Sequence, residues 1–415
     1  MRLFLKTIIF LVLSNFLFAQ NETNSPYSRF GIGEWNHFAT ASQIATGGLG
    51  IADDDPLSIN IGNPASYTTV FKQRFTMQTG LVHNTKLMET NTQSQVVNAT
   101  NFNYLLFAFP LHKKVGASFG ILPYSQVSYS FSDSYTNPQA DLLFEGNGGL
   151  TRLYLGNAVS IFNNLSVGAN LNVLFGNLNS TRKVVFSDAT ILNTRSFDDT
   201  SLKGIFLDFG LQYKYNFGKW SSVLAMTFDQ GSEVSAKRTN LTETYRLNST
   251  IEYVEDTVSY DVLNEGHLQL PSSIGFGVKL SNDQWKLLVD YSSQNWSEYR
   301  LFGETDSLEN SSQFSLGGEF VPDKKSINKY FKMVRYRLGI STSNTYLNVK
   351  NEQLKERAIT LGLGLPLRKS GSLLNLSAQV GQRGTLNNDL IRETFVRLKI
   401  GFIFSDIWFV KRKYN

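Results

Sequence analysis

Cysteine is absent from this chain and histidine is rare, since 415 residues contain no Cys and four His. Without cysteine the fold can hold no disulfide, and the N-terminus cannot carry a lipid on cysteine. None of the histidines has the spacing of a metal site or lies in a nucleophile motif; they are His37, His83, His112 and His267. The Gly-rich stretches lack the strand–turn–helix setting of a phosphate loop. The sequence predicts a protein that is not an enzyme, with no metal and no cofactor.

Long apolar runs are also missing, except at the N-terminus. Arg2 and Lys6 precede an apolar run over residues 8–17, and Ala19 or Gln20 is a plausible cleavage point. This pattern predicts a signal peptide over residues 1–20; a membrane anchor is the alternative, but the run is short for a bilayer. No later run is long enough for a transmembrane helix. The net charge of +5 falls to +3 without Arg2 and Lys6, and this small, unclustered charge argues against nucleic acid as a partner.

Apolar and polar residues alternate through most of the chain. Over residues 203–217 every odd position from Ile205 to Phe217 is apolar, whereas the even positions include Asp208, Gln212 and Lys214. Residues 165–175 and 396–404 repeat the pattern. A soluble sandwich alternates in the same way, but its strands centre on about five or six residues. Strands of about ten to fifteen residues with aromatic ends are typical of an outer-membrane barrel.

Fourteen such segments can be counted, which predicts an all-β fold, a 14-stranded antiparallel transmembrane β-barrel. Their approximate spans are 73–84, 98–111, 115–131, 149–162, 165–177, 202–217, 220–230, 271–281, 285–300, 312–321, 334–347, 355–366, 372–383 and 391–406. Short turns mostly follow the even-numbered segments and long loops the odd-numbered ones, as in bacterial outer-membrane barrels. We therefore expect an outer-membrane location with both termini periplasmic, an extracellular loop at 231–270 and a periplasmic turn at 321–333.

The segment before the first strand is irregular and rich in Gly, Asn, Ser and Asp. A fourteen-stranded barrel has a lumen that its own wall side chains cannot fill. Residues 21–70 are therefore predicted to fold inside the lumen as a plug, and residues 71–415 to form the barrel. A disordered periplasmic tail is the alternative, but aliphatic residues such as Ile44, Leu49 and Ile59 favour the plug.

The stretch GGLGIADDDPLSINIGNPASY, residues 47–67, resembles the long-chain fatty-acid transporter barrels of the FadL/TodX type. The resemblance rests on the Gly-rich run ending at Asp53, on the tripeptide Asn63, Pro64 and Ala65, and on the fourteen strands that follow. The stretch SPYSRFGIGE near the N-terminus is similar to the Bacteroidetes branch of that family. The resemblance implies uptake of hydrophobic or amphipathic small molecules, with lateral release through the barrel wall.

Two groups of residues are candidates for that activity. Pro123, with Gly120, lies in the third strand, where the resemblance implies a kink that opens the wall; a harmless bulge is the alternative. Phe395, Arg397 and Lys399 lie on the last strand, and the two cations could meet a ligand carboxylate. Alternatively, these cations pair with acids of the plug or wall, such as Asp53 to Asp55, Asp208 or Asp290.

Two functions compete. The first is an uptake barrel whose partners are outer-membrane lipid and a hydrophobic small-molecule substrate. The second is a plugged accessory barrel that acts as a structural subunit of an outer-membrane protein secretion or barrel-assembly complex. Three features favour protein-complex partners: the acidic segment 231–270, the extended turn 321–333 and the basic tail 410–415. The acidic segment would also repel fatty-acid carboxylates.

Overall fold

The computed structural model describes residues 25–408, except 36–37, 71–73, 137–138, 249–250, 307, 327 and 368–370. The predicted signal peptide and the basic tail 410–415 lie outside the described residues. Within this part of the chain, no helix is long and apolar enough to cross a membrane.

Fourteen long antiparallel strands close into a barrel, which confirms the predicted fold class. The strands are β1 (Arg74–Glu89), β2 (Ser94–His112), β3 (Val115–Thr136), β4 (Gln139–Ser160), β5 (Leu165–Phe186), β6 (Asn193–Phe217), β7 (Trp220–Asp229), β8 (Ser273–Ser281), β9 (Trp285–Gln294), β10 (Ser311–Phe320), β11 (Arg335–Val349), β12 (Glu352–Pro366), β13 (Leu373–Arg383) and β14 (Arg392–Ile407). Each pairs with the next along the chain, and β14 pairs with β1 over the whole of both strands. Closure leaves no complete strand without a partner, as a sheet in lipid requires.

The alternation in the sequence separates lipid-facing from lumen-facing side chains. On β6 the odd residues from Ile205 to Phe217 are exposed, whereas Phe206 and Gln212 are buried. These thirteen residues of a tilted strand span about 30 Å, the thickness of a hydrocarbon layer. On β14, Leu398 and Ile400 face outwards in the same way.

Several strands continue well beyond this apolar belt. Strands β3, β4 and β5 have 22 residues each and β6 has 25, whereas β7 to β10 have nine or ten. The lower half of β6 pairs with β7. Its upper part, residues 193–203, pairs with a further strand, Ser232–Asn248, which pairs in turn with Ile251–Leu270. We call the upper ends of β3 to β6 and this hairpin the projecting sheet.

The prediction that residues 231–270 form a loop was therefore wrong, because they form a β-hairpin. Residues 132–148 and 178–201 were likewise predicted as loops, but β3 extends to Thr136 and β4 begins at Gln139, and β5 and β6 leave only residues 187–192 between them. The apolar alternation stops where the strands leave the lipid, because both faces of a strand then meet water and neither requires apolar side chains. Pairing continues beyond that point through the backbone.

β2 and β3 are paired along only part of their lengths. Their ladder starts at the short turn between them and stops at the Leu105–Ile121 pair, although both strands continue beyond it. Just past that pair, β3 shifts register against β4 between Pro123 and Ser125. Here residues 34–35 of the N-terminal segment pair with β3 in place of β2.

Candidate functional site: the plugged lumen

The N-terminal segment, residues 25–70, fills the lumen, and we call it the plug. Nine inward-facing glycines on nine different strands border it, and a β-carbon on any of them would lie within 3.0 Å of a plug atom. They are Gly116, Gly156, Gly168, Gly210, Gly277, Gly317, Gly339, Gly362 and Gly401. The plug therefore packs against bare backbone around most of the wall, where side chains of any size would push it away.

The tripeptide Asn63, Pro64 and Ala65 fixes the end of the plug to the wall. The Asn63 Oδ1 accepts a hydrogen bond from the Ala65 N–H and caps the short 3-10 helix Pro64–Thr69. Its Nδ2 donates to the carbonyl of Ile51 at 2.8 Å and, more weakly, to carbonyls of β6 and β7. One fully buried side chain thus joins two parts of the plug to two strands.

Three consecutive acids attach the plug near the short-turn end of the barrel. Lys286 of β9 lies 3.2 Å from Asp53, Lys279 of β8 pairs with Asp54, and Arg335 of β11 pairs with Asp55. Burial disfavours ionisation of Asp55, but the positive charges of Arg335 and Lys286 outweigh burial and lower the pKa of that carboxyl. Asp55 therefore stays charged and bound to the wall.

Glu34 attaches the plug towards the opposite, long-loop end. Its carboxylate lies 2.9 Å from the Nζ of Lys86 on β1 and 3.0 Å from the guanidinium of Arg383 on β13. Arg383 also pairs at 2.6 Å with Glu393 of β14, which accepts a hydrogen bond from the hydroxyl of Ser25. Burial opposes the charge on Glu34, yet Lys86 and Arg383 outweigh it and lower the pKa of the Glu34 carboxyl.

Ser25, the first described residue, thus lies in the long-loop half of the barrel. The last described strand, β14, ends beside Arg74 at the short-turn end. An even strand count places the start of β1 and the end of β14 together, but it does not position the start of the plug. The predicted periplasmic N-terminus and the predicted bounds of the plug, 21–70, stay predictions because residues 21–24 are not described.

A cavity of about 330 Å³ remains in the lumen beside the plug. Its wall includes Arg152 and Asp208, whose charged groups lie 2.6 Å apart. Glu356, Arg397 and Lys399 also line it. Aromatic side chains such as Phe38 and Phe206 line it as well, so the cavity offers hydrogen bonds and ion pairs to a ligand beside apolar surface.

The candidate ligand residues of β14 lie together on the lumen face. The Arg397 guanidinium stacks over the Phe395 ring at 4.3 Å and donates to Gln379, and its nearest acid is Glu356 at 3.9 Å. Lys399 donates to the Ala39 carbonyl of the plug at 3.2 Å. Both cations line the cavity, so their ligand role stays a prediction.

The acids suggested as alternative partners of these two cations have other partners. Asp53, Asp54 and Asp55 pair with bases of β8, β9 and β11, and Asp208 pairs with Arg152. Asp290 accepts hydrogen bonds from the N–H groups of Gly50 and Ile51. The named acids therefore do not pair with Arg397 or Lys399, because strand register places them at other heights and angles around the barrel, although Glu356, an acid of the wall, lies 3.9 Å from Arg397.

The candidate wall residues lie on the two sides of the point where β2 and β3 separate. Gly120 is still opposite Leu106 of β2, whereas Pro123 lies beyond the last paired residue. The opening of the wall at this kink stays a prediction.

Most of the residues that hold the plug in place were not predicted from the sequence. Glu34, Lys86, Arg383 and Glu393 form the cluster at one end, and Lys286 is central to the other. A signal was present, since a charged residue at a lumen-facing position of a membrane strand requires a partner. Applied to every predicted strand, that rule would have selected Lys286 and Glu393, whereas Lys86 lies beyond the predicted segment 73–84.

Comparison with known proteins places the chain in a family and gives its fold relatives. No curated protein sequence matches the chain. The toluene transporter TbuX of Ralstonia pickettii is similar with a TM-score of 0.60 at 15% identity, over 89% of this chain and 98% of that one. The toluene transporter TodX of Pseudomonas putida has a TM-score of 0.60 at 14% identity, and the match covers 90% of this chain and 99% of that one. A FadL homologue of Pseudomonas aeruginosa has a TM-score of 0.56 at 11% identity, and the match covers 91% of this chain and 98% of that one.

At these identities the likeness is one of fold, and it confirms the predicted FadL/TodX-type barrel architecture. The suggested Bacteroidetes branch stays a prediction. The model of the BamG family matches residues 2–415, which is nearly the whole sequence, and the chain therefore belongs to the BamG family.

Proposed function

We propose that this protein is a sealed accessory barrel of the bacterial outer membrane, a structural subunit of a complex that assembles or secretes outer-membrane proteins. The family name BamG has the form used for subunits of a barrel-assembly machine and supports this role. The observation that carries the proposal is the attachment of the plug by buried ion pairs at both ends of the lumen.

The strength of that attachment supports a permanent seal. Removing one partner of a buried ion pair costs about 3–5 kcal/mol, because the other charge is left without compensation. Moving the plug aside would separate Glu34 from Lys86 and Arg383, or Asp55 from Arg335, and would expose the glycine-lined wall. A plug held in this way is expected in a subunit whose barrel serves as a membrane anchor. It is not expected in a channel that must open at every turnover.

The charges of the remaining cavity point in the same direction. A hydrophobic molecule in the lumen would contact aromatic side chains such as Phe206. It would also lie against Arg152, Asp208 and Arg397, whose desolvation opposes apolar binding. Most apolar surface of the protein lies outside the barrel, where lipid covers it.

The test is purification of the tagged full-length protein from its native outer membrane in a mild detergent, followed by measurement of mass and stoichiometry. We expect partner proteins in fixed ratio and, on depletion of the protein, a loss of other folded barrels from the membrane. A harsh-detergent preparation of the same membranes is the control that releases the subunits. A protein that runs alone under mild conditions and whose depletion leaves other barrels unchanged would contradict the proposal.

Uptake of hydrophobic small molecules with lateral release is the second candidate. It is favoured by the fold likeness to toluene transporters and by the unpaired section of β2 and β3 beside Pro123. Pro123→Val permits a backbone hydrogen bond that proline cannot make, so it should slow toluene entry if the wall opens there. Pro110→Val, on β2 within the paired section, is the matched control. Equal uptake by both variants and the native protein removes lateral release.

A further inference from the structure

The outer strand of the projecting sheet, Ile251–Leu270, has an edge without a partner strand. On one side it pairs with Ser232–Asn248 along its whole length. On the other side, among the described residues, only Leu268 and Gln269 pair with another strand, at residues 300–301. Residues 251–266 therefore present about 50 Å of backbone edge with which no further described strand pairs.

This edge strand is unusually apolar for a segment in water. Its exposed apolar side chains are Ile251, Tyr253, Val254, Val258, Tyr260, Val262 and Leu263. His267 lies level with Lys203 of β6, just above the apolar belt that begins at Ile205. Tyr260 lies about 20 Å farther along the strand, so lipid does not cover these side chains.

The charge of the strand limits what could pair with it. Residues 251–270 contain five acids and no Lys or Arg. Glu252 and Glu255 pair with bases of the projecting sheet, whereas Asp256, Asp261 and Glu265 have no ion pair in the described part of the chain. A second copy of the same edge would bring these acids against one another and be repelled. A basic segment would be attracted.

We propose that this edge binds an extended, basic segment of a partner protein by strand addition. Main-chain hydrogen bonds would supply affinity, and alternating side chains specificity. Three register shifts interrupt the pairing of the edge strand with its neighbour. The regular stretch Ser259–Leu263 carries Tyr260 and Val262 on one face and Asp261 on the other. It is the place where a partner strand of about five residues fits.

This inference rests on the proposed accessory function, because it names the surface through which the subunit contacts a partner. The two can fail separately. A complex that assembles through another surface would leave the accessory function intact and remove the edge as the binding site.

The absence of cysteine makes a site-specific test direct. Tyr260→Cys and Tyr135→Cys each introduce a unique thiol on the projecting sheet, at tyrosines that are 64% and 57% exposed. Tyr135 lies on β3, at the far side of the sheet. Each variant is labelled with a benzophenone maleimide in native membranes, illuminated, and its cross-linked peptides are identified by mass spectrometry. We expect Tyr260→Cys, and not Tyr135→Cys, to cross-link one extended partner segment with net positive charge.

Charge reversal separates the proposed contact from chance proximity. Asp256→Lys with Asp261→Lys should reduce the adduct of Tyr260→Cys about ten-fold, because two attractions become repulsions. Asp133→Lys with Asp141→Lys, exposed acids on β3 and β4, should change it by less than about two-fold. Migration of the folded barrel before and after heating checks that each variant folds.

Four results would overturn the inference: a Tyr260→Cys adduct to a second copy of this chain, equal adducts from Tyr260→Cys and Tyr135→Cys, a partner segment without positive charge, or no adduct. If mild purification still yields partners in fixed ratio, the accessory function survives these results. If purification yields no partner, but Tyr260→Cys still cross-links a basic segment, the edge is a docking site for a transient partner, and the accessory function falls if depletion also leaves other barrels unchanged.

Discussion

Replacing Glu34 with Gln tests whether buried charge holds the first part of the plug. In the native protein Glu34 and Glu393 balance Lys86 and Arg383 within one buried cluster. The substitution removes one negative charge and keeps the shape of the side chain. Lys86 and Arg383 then share Glu393, which is 2.6 Å from Arg383 but 4.0 Å from Lys86.

The expected effect follows from the burial of these groups. The side chains of Lys86 and Arg383 are only 3% and 8% exposed, so water compensates little for the lost partner. Breaking a buried pair in this way costs about 3–5 kcal/mol, and the remaining contact to Glu393 favours the lower value. About 3 kcal/mol corresponds to a rise of roughly 100-fold in the population in which residues 25–35 are detached.

Amide hydrogen exchange measured by mass spectrometry reports this population directly. In Glu34→Gln we expect the exchange of residues 25–35 to accelerate about 100-fold, while that of residues 50–55, held by the other cluster, stays unchanged. Glu89→Gln is the control, because Glu89 pairs with Arg392 at 3.2 Å near the same end but with both side chains substantially exposed. It should accelerate exchange by less than about five-fold. Unchanged exchange in Glu34→Gln, or an equal effect in Glu89→Gln, would refute the reasoning.

Three further predictions concern the plug. Gly317→Ala places a β-carbon against the plug backbone, whereas a β-carbon at Gly318 contacts no plug atom and meets only Leu287 and the Lys286 carbonyl of the neighbouring strand. We expect overpacking of about 1–3 kcal/mol against the plug and a higher ion conductance in planar bilayers for Gly317→Ala but not for Gly318→Ala, and equal conductance would contradict this. Asn63→Ala removes a helix cap and leaves buried carbonyls without a hydrogen-bond donor. This should destabilise the plug by about 2–4 kcal/mol and speed its proteolysis, and unchanged cleavage would argue against the anchoring role of Asn63. Folding lowers the pKa values of Glu34 and Asp55 from 4.5 and 3.8. The stability that these carboxylates add is therefore complete above their unfolded pKa values and is lost as the pH falls through their lower pKa values in the folded protein. Amide exchange of the plug should rise only below about pH 4, and a rise between pH 7 and 5 would show that other groups control it.

The barrel could be predicted from the sequence because its signal is local. Side chains of a strand alternate with a period of two, and lipid requires every second one to be apolar. The odd residues of 205–217 therefore identified both a strand and its orientation without reference to any other strand. All fourteen predicted segments overlap strands of the barrel.

The projecting sheet was not predictable by the same rule. Above the membrane both faces of a strand meet water, so residues 178–201 and 231–270 lose the apolar alternation and read as loops. Their pairing is decided by the neighbouring strand. The upper part of β6 continues past the end of β7, and the hairpin supplies the missing partner.

The sequence by itself determined that charged residues such as Lys286, Arg383 and Glu393 face the lumen, but only the tertiary structure decided their partners. Glu34 meets Lys86 and Arg383 because closure of the barrel brings β1 beside β14 and places β13 next along the wall. The height at which these groups meet is set by strand register and by the fit of the plug against bare glycine backbone. Both are properties of the closed barrel, because they join residues hundreds of positions apart, and no local pattern encodes them.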